Sequence, residues 1–490
     1  MKKIHLKNEP NLCPTLEAFK YQEEAFETIK DLEYAAIFHE QGLGKTKIAI
    51  DLLLYWLDKT DIDTVLIVTK KQLVYNWIEE FKIHTKIKPQ ILTNNRADNF
   101  YVFNGPARIV VTNFETISTE KERFKLYLKA RNVGIIIDES AKIKNPESKL
   151  TNDFFELSML FKKRVIMTGT PVANRPYDIW AQIFFLDNGK SLGKNFEEFE
   201  KDTDLSNDLS INSDKKEKFE NAISIIFNKI NKFCVRETKN SGVVFLPDRE
   251  YIDVWTNFNP KQFKMYNKVK DECICEINQG DVKQIDDSSP ILKRMLRLVQ
   301  ITSNPKLLDD TIDFKSEKEK ELNRLLKEIT SKNEKCIVWS SFIENIDYFT
   351  KMYKEYNTVK IHGKMKIEDR NRSVEKFKKG DAKVLFATPQ SAKEGLTLTV
   401  ANNVIFYDRG FSLDDYLQAQ DRIHRISQKK TCYVYNIMIR GSIDEWIDSL
   451  LKAKENAAKL SQGDITLEEY KNKMDYTYGD IIKKILKEEE

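Results

Sequence analysis

The sequence predicts an α/β protein of two lobes, each a doubly wound parallel sheet, with a helical insert between them. Three observations predict it. In the first half, unbroken apolar runs at 64–69, 108–112, 134–138 and 164–167 alternate with helical patterns. In the second half the rhythm returns, with strands at 335–339, 359–361, 383–388 and 403–408. Between them, from Asp187 to Lys315, the rhythm stops and charged helical patterns take over. Continuous apolar runs suit strands of a sheet covered on both faces. Ligands of such sheets sit at the carboxyl ends of the strands, and the polar motifs of the first half fall at those ends.

Taken in order, residues 16–32 read as a helix with Phe19, Ala25, Phe26 and Ile29 on one side. It carries Tyr21 and Gln22, and a Gln amide can both donate to and accept from an adenine edge. The apolar stretch 35–38 then ends in His39-Glu40-Gln41-Gly42-Leu43-Gly44, followed by Lys45-Thr46 and a helix. Strand, glycine-bearing loop and helix together turn backbone N–H groups toward a phosphate at the helix N-terminus. Lys45 is spaced to reach the β/γ-phosphates, and the Thr46 hydroxyl to hold Mg²⁺. The strict pattern demands a glycine five residues before Gly44, and His39 stands there. Further on, Asp138 and Glu139 close the run 134–138. Downstream of a phosphate loop, Asp138 reads as a Mg²⁺ holder. Glu139 reads as the group that orients or deprotonates the attacking water. ATP and Mg²⁺ are therefore the expected cofactors.

Composition narrows the field. With 490 residues, 41% hydrophobic and 32% charged, the chain can bury two or three cores and stay soluble. Lys+Arg at 80 against Asp+Glu at 76 gives a net charge of only +4, so a nucleic-acid surface must be a local patch. No stretch reads as a membrane span, and Met1-Lys2-Lys3 lacks the apolar run of a signal peptide. The six cysteines are scattered without zinc-ligand spacing, which fits free thiols in a reducing cytoplasm. Abundant Lys, Asn and Ile suggest an AT-rich genome, and the compact size suggests a prokaryotic, viral or mobile-element source.

The ordered set Gln22, Gly42-Leu43-Gly44-Lys45-Thr46, Asp138-Glu139-Ser140-Ala141-Lys142-Ile143-Lys144-Asn145 and Thr168-Gly169-Thr170-Pro171 resembles the Swi/Snf-type DNA translocases, helicase-like ATPases of the second superfamily. The resemblance implies two RecA-like lobes. It implies that Thr168, Gly169 and Thr170 couple the nucleotide to a DNA groove. It also implies that Thr69, Lys70, Lys71, Thr112 and Asn113 line that groove. Strand-end hydroxyls, amides and lysines suit phosphate contacts, which carry no sequence information. The sequence departs from the family at His39, and at Ser140-Ala141 where the family often has a small residue and then His. The second departure is expected to weaken a link to the Thr168 motif.

In the middle, a helix is expected over 217–230. Arg236-Glu237-Thr238-Lys239 and Leu246-Pro247 resemble the family's lobe-junction signature. The basic helix 291–300 brings Lys293, Arg294 and Arg297, either a DNA contact or a solvated face. In the second lobe, Gln418-Ala419-Gln420-Asp421-Arg422-Ile423-His424-Arg425 resembles the family's arginine-finger motif. Arg422 and Arg425 lie three apart, on one face of an expected helix, where two guanidiniums can meet the γ-phosphate. Gly395 and Gln418 are expected coupling residues; Ser340, Thr388 and Thr397 are expected on the DNA, with Thr397 replacing the family's Asn. The helix from Gly441 to about Leu460 resembles one that braces the lobes, and 483–490 reads as a frayed helix.

The expected layout is an ATP-binding lobe at 1–250, a helical protrusion at 251–315, a second lobe at 316–440 and a brace with tail at 441–490. The expected function is an ATP-driven motor on double-stranded DNA, monomeric and cytoplasmic. Targeting is expected to come from a protein partner or from DNA structure. Between Asp408 and Gln418 there is no room for a strand-separating hairpin, which favours translocation over unwinding. A strand-separating RNA or DNA helicase and a non-catalytic nucleic-acid clamp are the alternatives.

Overall fold

The computed structural model of the protein describes residues 3–172, 174–207, 213–243, 245–277, 290–309, 311–312, 314–392 and 396–473, leaving aside the side chains of 206, 213, 272–277, 290–294 and 392. The described chain packs as two units. Residues 1–245 join 456–473 in the first, and 246–455 form the second.

The first unit is a parallel sheet ordered β3-β4-β2-β5-β6-β1-β7. Its strands are β1 (Tyr34–Ile37), β2 (Thr64–Thr69), β3 (Gln90–Ile91), β4 (Ile109–Asn113), β5 (Val133–Asp138), β6 (Lys163–Met167) and β7 (Cys234–Val235). The register sets the strand ends level: Ile37 and Asp138 both pair with Met167, and Thr69 pairs with Asn113. Helices cover the sheet because its apolar runs must be buried on both faces. Leu52, Leu53 and Trp56 of one helix pack with Ile67, Ile136 and Val165 in one core. Gly134 makes room there, since a Cβ on it would lie 3.0 Å from the Trp56 ring.

The second unit is also parallel, ordered β10-β11-β9-β12-β13-β8. It contains β8 (Arg249–Thr256), β9 (Cys336–Trp339), β10 (Val359–Ile361), β11 (Val384–Ala387), β12 (Asn403–Phe406) and β13 (Cys432–Ile439). Alternate residues feed two cores. Ile337, Leu385 and Val404 face one, and Val338, Phe386 and Ile405 face the other. The sequence patterns therefore encode two doubly covered sheets, as expected.

Several expectations need correction. The rhythm does not stop between 187 and 315. β7 extends the first sheet beside β1, and β8 runs alongside β13 over eight residue pairs in the second. β8 escapes an apolar-run reading because it is an edge strand: Val254 is buried, while Glu250, Tyr251 and Asp253 are exposed. The helix expected over 217–230 is two, Ser213–Ser224 and Ile226–Ile230. The first helix, α1, is Lys20–Ile29, shorter than 16–32. Arg422 and Arg425 do not lie on a helix, because the helix Leu413–Gln420 ends before them in a series of turns. The side chains of Lys293 and Arg294 and the whole tail 483–490 lie outside what the structure describes, while Arg297 is exposed. No described helix is long and apolar enough to cross a membrane.

Candidate phosphate-binding site and strand-end motifs

The loop after β1 is shaped by residues with left-handed backbones. Gly42 has φ +88° and Gly44 φ +68°, and Gly44 caps the helix α2 (Lys45–Lys59). A side chain at Gly44 is strained by the backbone angle, and its Cβ would displace the Gln22 amide from the loop. Gln22 is buried on α1. Its amide lies 3.5 Å and 3.4 Å from the carbonyls of Leu43 and Gly44, and its Oε1 accepts from Phe19 N at 3.0 Å. Tyr21 donates its hydroxyl to Leu43 O at 3.0 Å. Gln22 is thus tied to the loop itself. Lys45 Nζ donates to the carbonyls of His39 and Glu40, at 2.9 and 3.2 Å.

His39, where a glycine was expected, is buried with neither ring nitrogen hydrogen-bonded. Burial and the neighbouring Lys45 ammonium push its pKa down to about 3, so the ring is neutral. The loop therefore accepts an uncharged ring, lying 6.1 Å from Tyr21, at this position.

The acidic pair sits at the end of β5. Asp138 Oδ2 accepts from Thr69 Oγ1 at 3.0 Å and Trp77 Nε1 at 2.9 Å. Burial and the adjacent Glu139 carboxylate push the Asp138 pKa up to about 6, against these two hydrogen bonds. Glu139 has φ +59°, a left-handed backbone that a non-glycine residue rarely adopts and that is often held at functional sites. Its carboxylate accepts from Gln41 Nε2 at 3.5 Å and lies 3.8 Å from Lys70 Nζ. Gln41 in turn presses on Gly169, where a Cβ would lie 2.6 Å from Gln41 Cγ. The phosphate loop, the acidic pair and the Thr168 motif are thus in direct register.

The structure supplies a link at the second departure. Ser140 Oγ donates to Gln182 Oε1 at 2.7 Å, and Gln182 Nε2 donates to Pro171 O at 2.8 Å, all buried. Thr168 Oγ1 accepts from Thr170 N at 3.2 Å.

Among residues expected on nucleic acid, Lys71 is exposed and Lys70 half-buried. Thr69 is buried on Asp138. Thr112 donates to Leu92 O at 3.3 Å, and Asn113 caps the next helix through Thr116 N at 3.0 Å. In the second unit, Ser340 Oγ donates to the buried Asp408 at 2.6 Å, and Thr388 is buried. Thr397 Oγ1 accepts from Arg425 at 2.8 Å. Arg422 is buried, with Nε donating to Gln418 O at 3.1 Å and Nη1 to Leu396 O at 3.4 Å. Gln418 donates to Asp414 at 2.7 Å. Gly395 lies outside the described residues. Sequence reasoning missed Trp77, Gln41 and Gln182, polar side chains whose spacing carries no signal.

The donor set fits a nucleotide with its metal. Two left-handed glycines before α2, the Lys45 ammonium and the Asp138 carboxylate stand at the carboxyl ends of β1 and β5. Mg²⁺ commonly takes only one or two protein ligands and completes its shell with phosphates and water. Among the described residues no cluster of three or more His, Cys, Asp or Glu could hold a metal by itself.

Comparison with known proteins adds the following. The model of the SNF2-related domain matches residues 21–307, and that of the helicase conserved C-terminal domain matches 317–427. An uncharacterized ATP-dependent helicase of Mycoplasma pneumoniae is 29% identical over 454 residues, 89% of this chain and 41% of that protein. The ISWI chromatin-remodeling complex ATPase ISW1 of Saccharomyces cerevisiae is 24% identical over 89% of this chain and 39% of its own length. The DNA repair and recombination protein RAD54 of the same yeast is 25% identical over 87% and 54%. The chain spans about two-fifths of the length of the first two of these relatives. The Sulfolobus solfataricus SWI2/SNF2 ATPase core in complex with dsDNA aligns over 96% of this chain and 99% of that one, at 23% identity and a TM-score of 0.43.

Proposed function

The chain belongs to the SNF2-related family, and from that premise we propose that it is an ATP-hydrolysing motor that moves along double-stranded DNA. One observation carries the reading. Left-handed Gly42 and Gly44, Lys45, Asp138 and the strained Glu139 meet at the level carboxyl ends of one parallel sheet, with Gln41 joining loop to acid. Phosphates bind the N–H groups of 42–46, and Lys45 exchanges the carbonyls of His39 and Glu40 for phosphate oxygens. Gln22 and Gly44 fix the loop's shape. Thr46 and Asp138 would hold Mg²⁺, which would supply positive charge to the phosphates when bound. Glu139 takes the proton of the attacking water. Arg422 and Arg425 supply positive charge to the transferred phosphoryl group, leaving their present main-chain and Thr397 acceptors to do so.

Thr168, Gly169, Thr170, Gly395 and Gln418 form the coupling set, supported in the first unit by the Gln41–Gly169 contact. Lys70 and Lys71 carry the charge toward the DNA backbone with Thr397, and Thr69, Thr112, Asn113, Ser340 and Thr388, buried here, join them on leaving their present surroundings. Binding is then insensitive to sequence and weakened by salt. Only four residues separate Asp408 from the helix Leu413–Gln420, which supports translocation without strand separation.

ATPase rates with duplex DNA, single-stranded DNA and RNA test the reading. Stimulation by duplex DNA is expected, with Lys45→Ala abolishing turnover while DNA binding persists. Equal stimulation by RNA, efficient unwinding of a tailed duplex, or activity surviving Lys45→Ala would each overturn a part of it.

A further inference from the structure

The phosphate loop is held from outside at its entry. Phe38 N donates to Val235 O and Glu40 N to Glu237 O, each at 2.9 Å. Lys239 N donates to the Glu40 carboxylate at 2.6 Å. Between these, Arg236 Nη1 donates to Phe38 O at 2.7 Å. The strap 235–239 therefore grips Phe38 and Glu40, on either side of His39, from the edge of the sheet.

Arg236 is itself gripped. Its Nε donates to Asp464 Oδ1 at 2.6 Å and its Nη2 to Asp464 Oδ2, a two-pronged pair with both groups largely buried. The guanidinium is planar, so a carboxylate that fixes one edge also fixes the direction of the remaining N–H groups. One of those points at Phe38 O.

Asp464 is delivered by a specific turn. The helix Ile443–Ser461 ends with Gly463 N donating to Leu460 O at 3.1 Å and Asp464 N to Lys459 O at 2.9 Å. This is the paired closure that a left-handed residue after a helix makes. Gly463 has φ +73°, and a Cβ on it would lie 2.8 Å from Phe227 Cδ1. The glycine lets the turn sit against the first unit and aims Asp464 at Arg236.

We infer that Asp464 is a positioning residue for nucleotide binding: through Arg236 it fixes the Phe38 carbonyl, and with it the entry of the phosphate loop. The inference rests on the reading of that loop as the nucleotide site. It gives residues 456–473 a role in the chemistry of the first unit, although they follow residues 246–455 of the second unit in sequence.

The test compares Asp464→Asn, Asp464→Glu and Lys471→Ala in the full chain. Lys471 pairs with Glu220 at 3.2 Å, so its loss loosens the same segment without touching Arg236. Affinity for a fluorescent ADP analogue, KM and kcat for ATP, and the melting temperature are the readouts. Asp464→Asn is expected to weaken binding and raise KM by roughly fivefold or more, with kcat within about twofold. Asp464→Glu is expected to restore part of the loss, and Lys471→Ala to leave KM unchanged. Should Asp464→Asn not fold, Arg236→Lys replaces it, since an ammonium cannot reproduce the two-pronged pair and is expected to raise KM likewise. Parent-like KM in the replacement, or an equal shift in Lys471→Ala, overturns the inference. Parent-like nucleotide binding in Lys45→Ala would instead overturn the underlying site.

Discussion

The two units share an architecture and differ at the carboxyl ends of their strands. In the first, those ends are built from unusual backbone: Gly42, Gly44 and Glu139 all have positive φ. In the second, the described positive-φ residues, Asn333, Asn357 and Gly441, lie in turns. Its strand ends are instead closed by side chains. Asp408 accepts from Ser303 and Ser340 hydroxyls at 2.8 and 2.6 Å and from Ser341 N at 2.7 Å, while Asn345 donates to Ser303 and Ser340. A sheet of this kind can thus shape its strand ends with left-handed backbone or close them with buried side-chain hydrogen bonds. The first unit uses the former at the phosphate loop and the acidic pair, and the second uses the latter around Asp408. The same contrast separates strain held for chemistry from polar groups held for stability.

The largest test of that contrast asks whether the second unit is more than a scaffold. Arg422→Ala is expected to lower turnover by about 10³-fold or more while ADP binding persists. Unchanged kcat would make the second unit structural throughout. Next, Glu139→Gln is expected to lower kcat by about 10²- to 10⁴-fold, with little change in melting temperature, since the strained backbone stays. Asp408→Ala should do the reverse. Leaving buried hydroxyl, amide and N–H donors without their acceptor costs about 2–4 kcal/mol, read as a lower unfolding midpoint by denaturant titration. An Asp408→Ala protein as stable as the parent would remove the distinction between the units.

The smallest effect concerns pH. Asp138 must be ionised to hold a metal, so kcat/KM for ATP is expected to fall on the acid side with a midpoint near pH 6. Thr69→Val removes a hydrogen bond that lowers this pKa, so the acid limb moves to higher pH. A limb that stays in place would show that Asp138 is not the titrating group. Stability runs the opposite way. A carboxyl whose folded pKa is raised from 3.8 to about 6 favours the folded state most below 3.8, and that contribution is lost as pH rises through 6.

Much of this was legible in the sequence because burial on both faces leaves long apolar runs, as at β2, β5 and β12. Strands that are short or one-faced left no such mark: Cys234–Val235 is two residues long, and β8 alternates Ile252 and Val254 with charge. The phosphate loop and acidic pair were legible because their chemistry demands fixed types at fixed spacing. The partners of those residues were not. Trp77, Gln182 and Asp464 reach the site only through tertiary packing, from 61, 42 and 228 residues away from the groups they bond. The helix expected under Arg422 and Arg425 failed because three-residue spacing is compatible with consecutive turns as well as with a helix.

The return of residues 456–473 to the first unit has a consequence for how the chain is made. During synthesis, β1 to β7 emerge long before Gly463 and Asp464, and all of β8 to β13 emerges in between. All seven strands of the first sheet are made by residue 235, but Arg236 waits for its carboxylate until residues 246–455 have been made. Closing so long a loop adds little entropy cost for its length, so the delay is one of order more than of energy. Translation order thus completes the Arg236 grip on the loop last, after every strand of both sheets has been made.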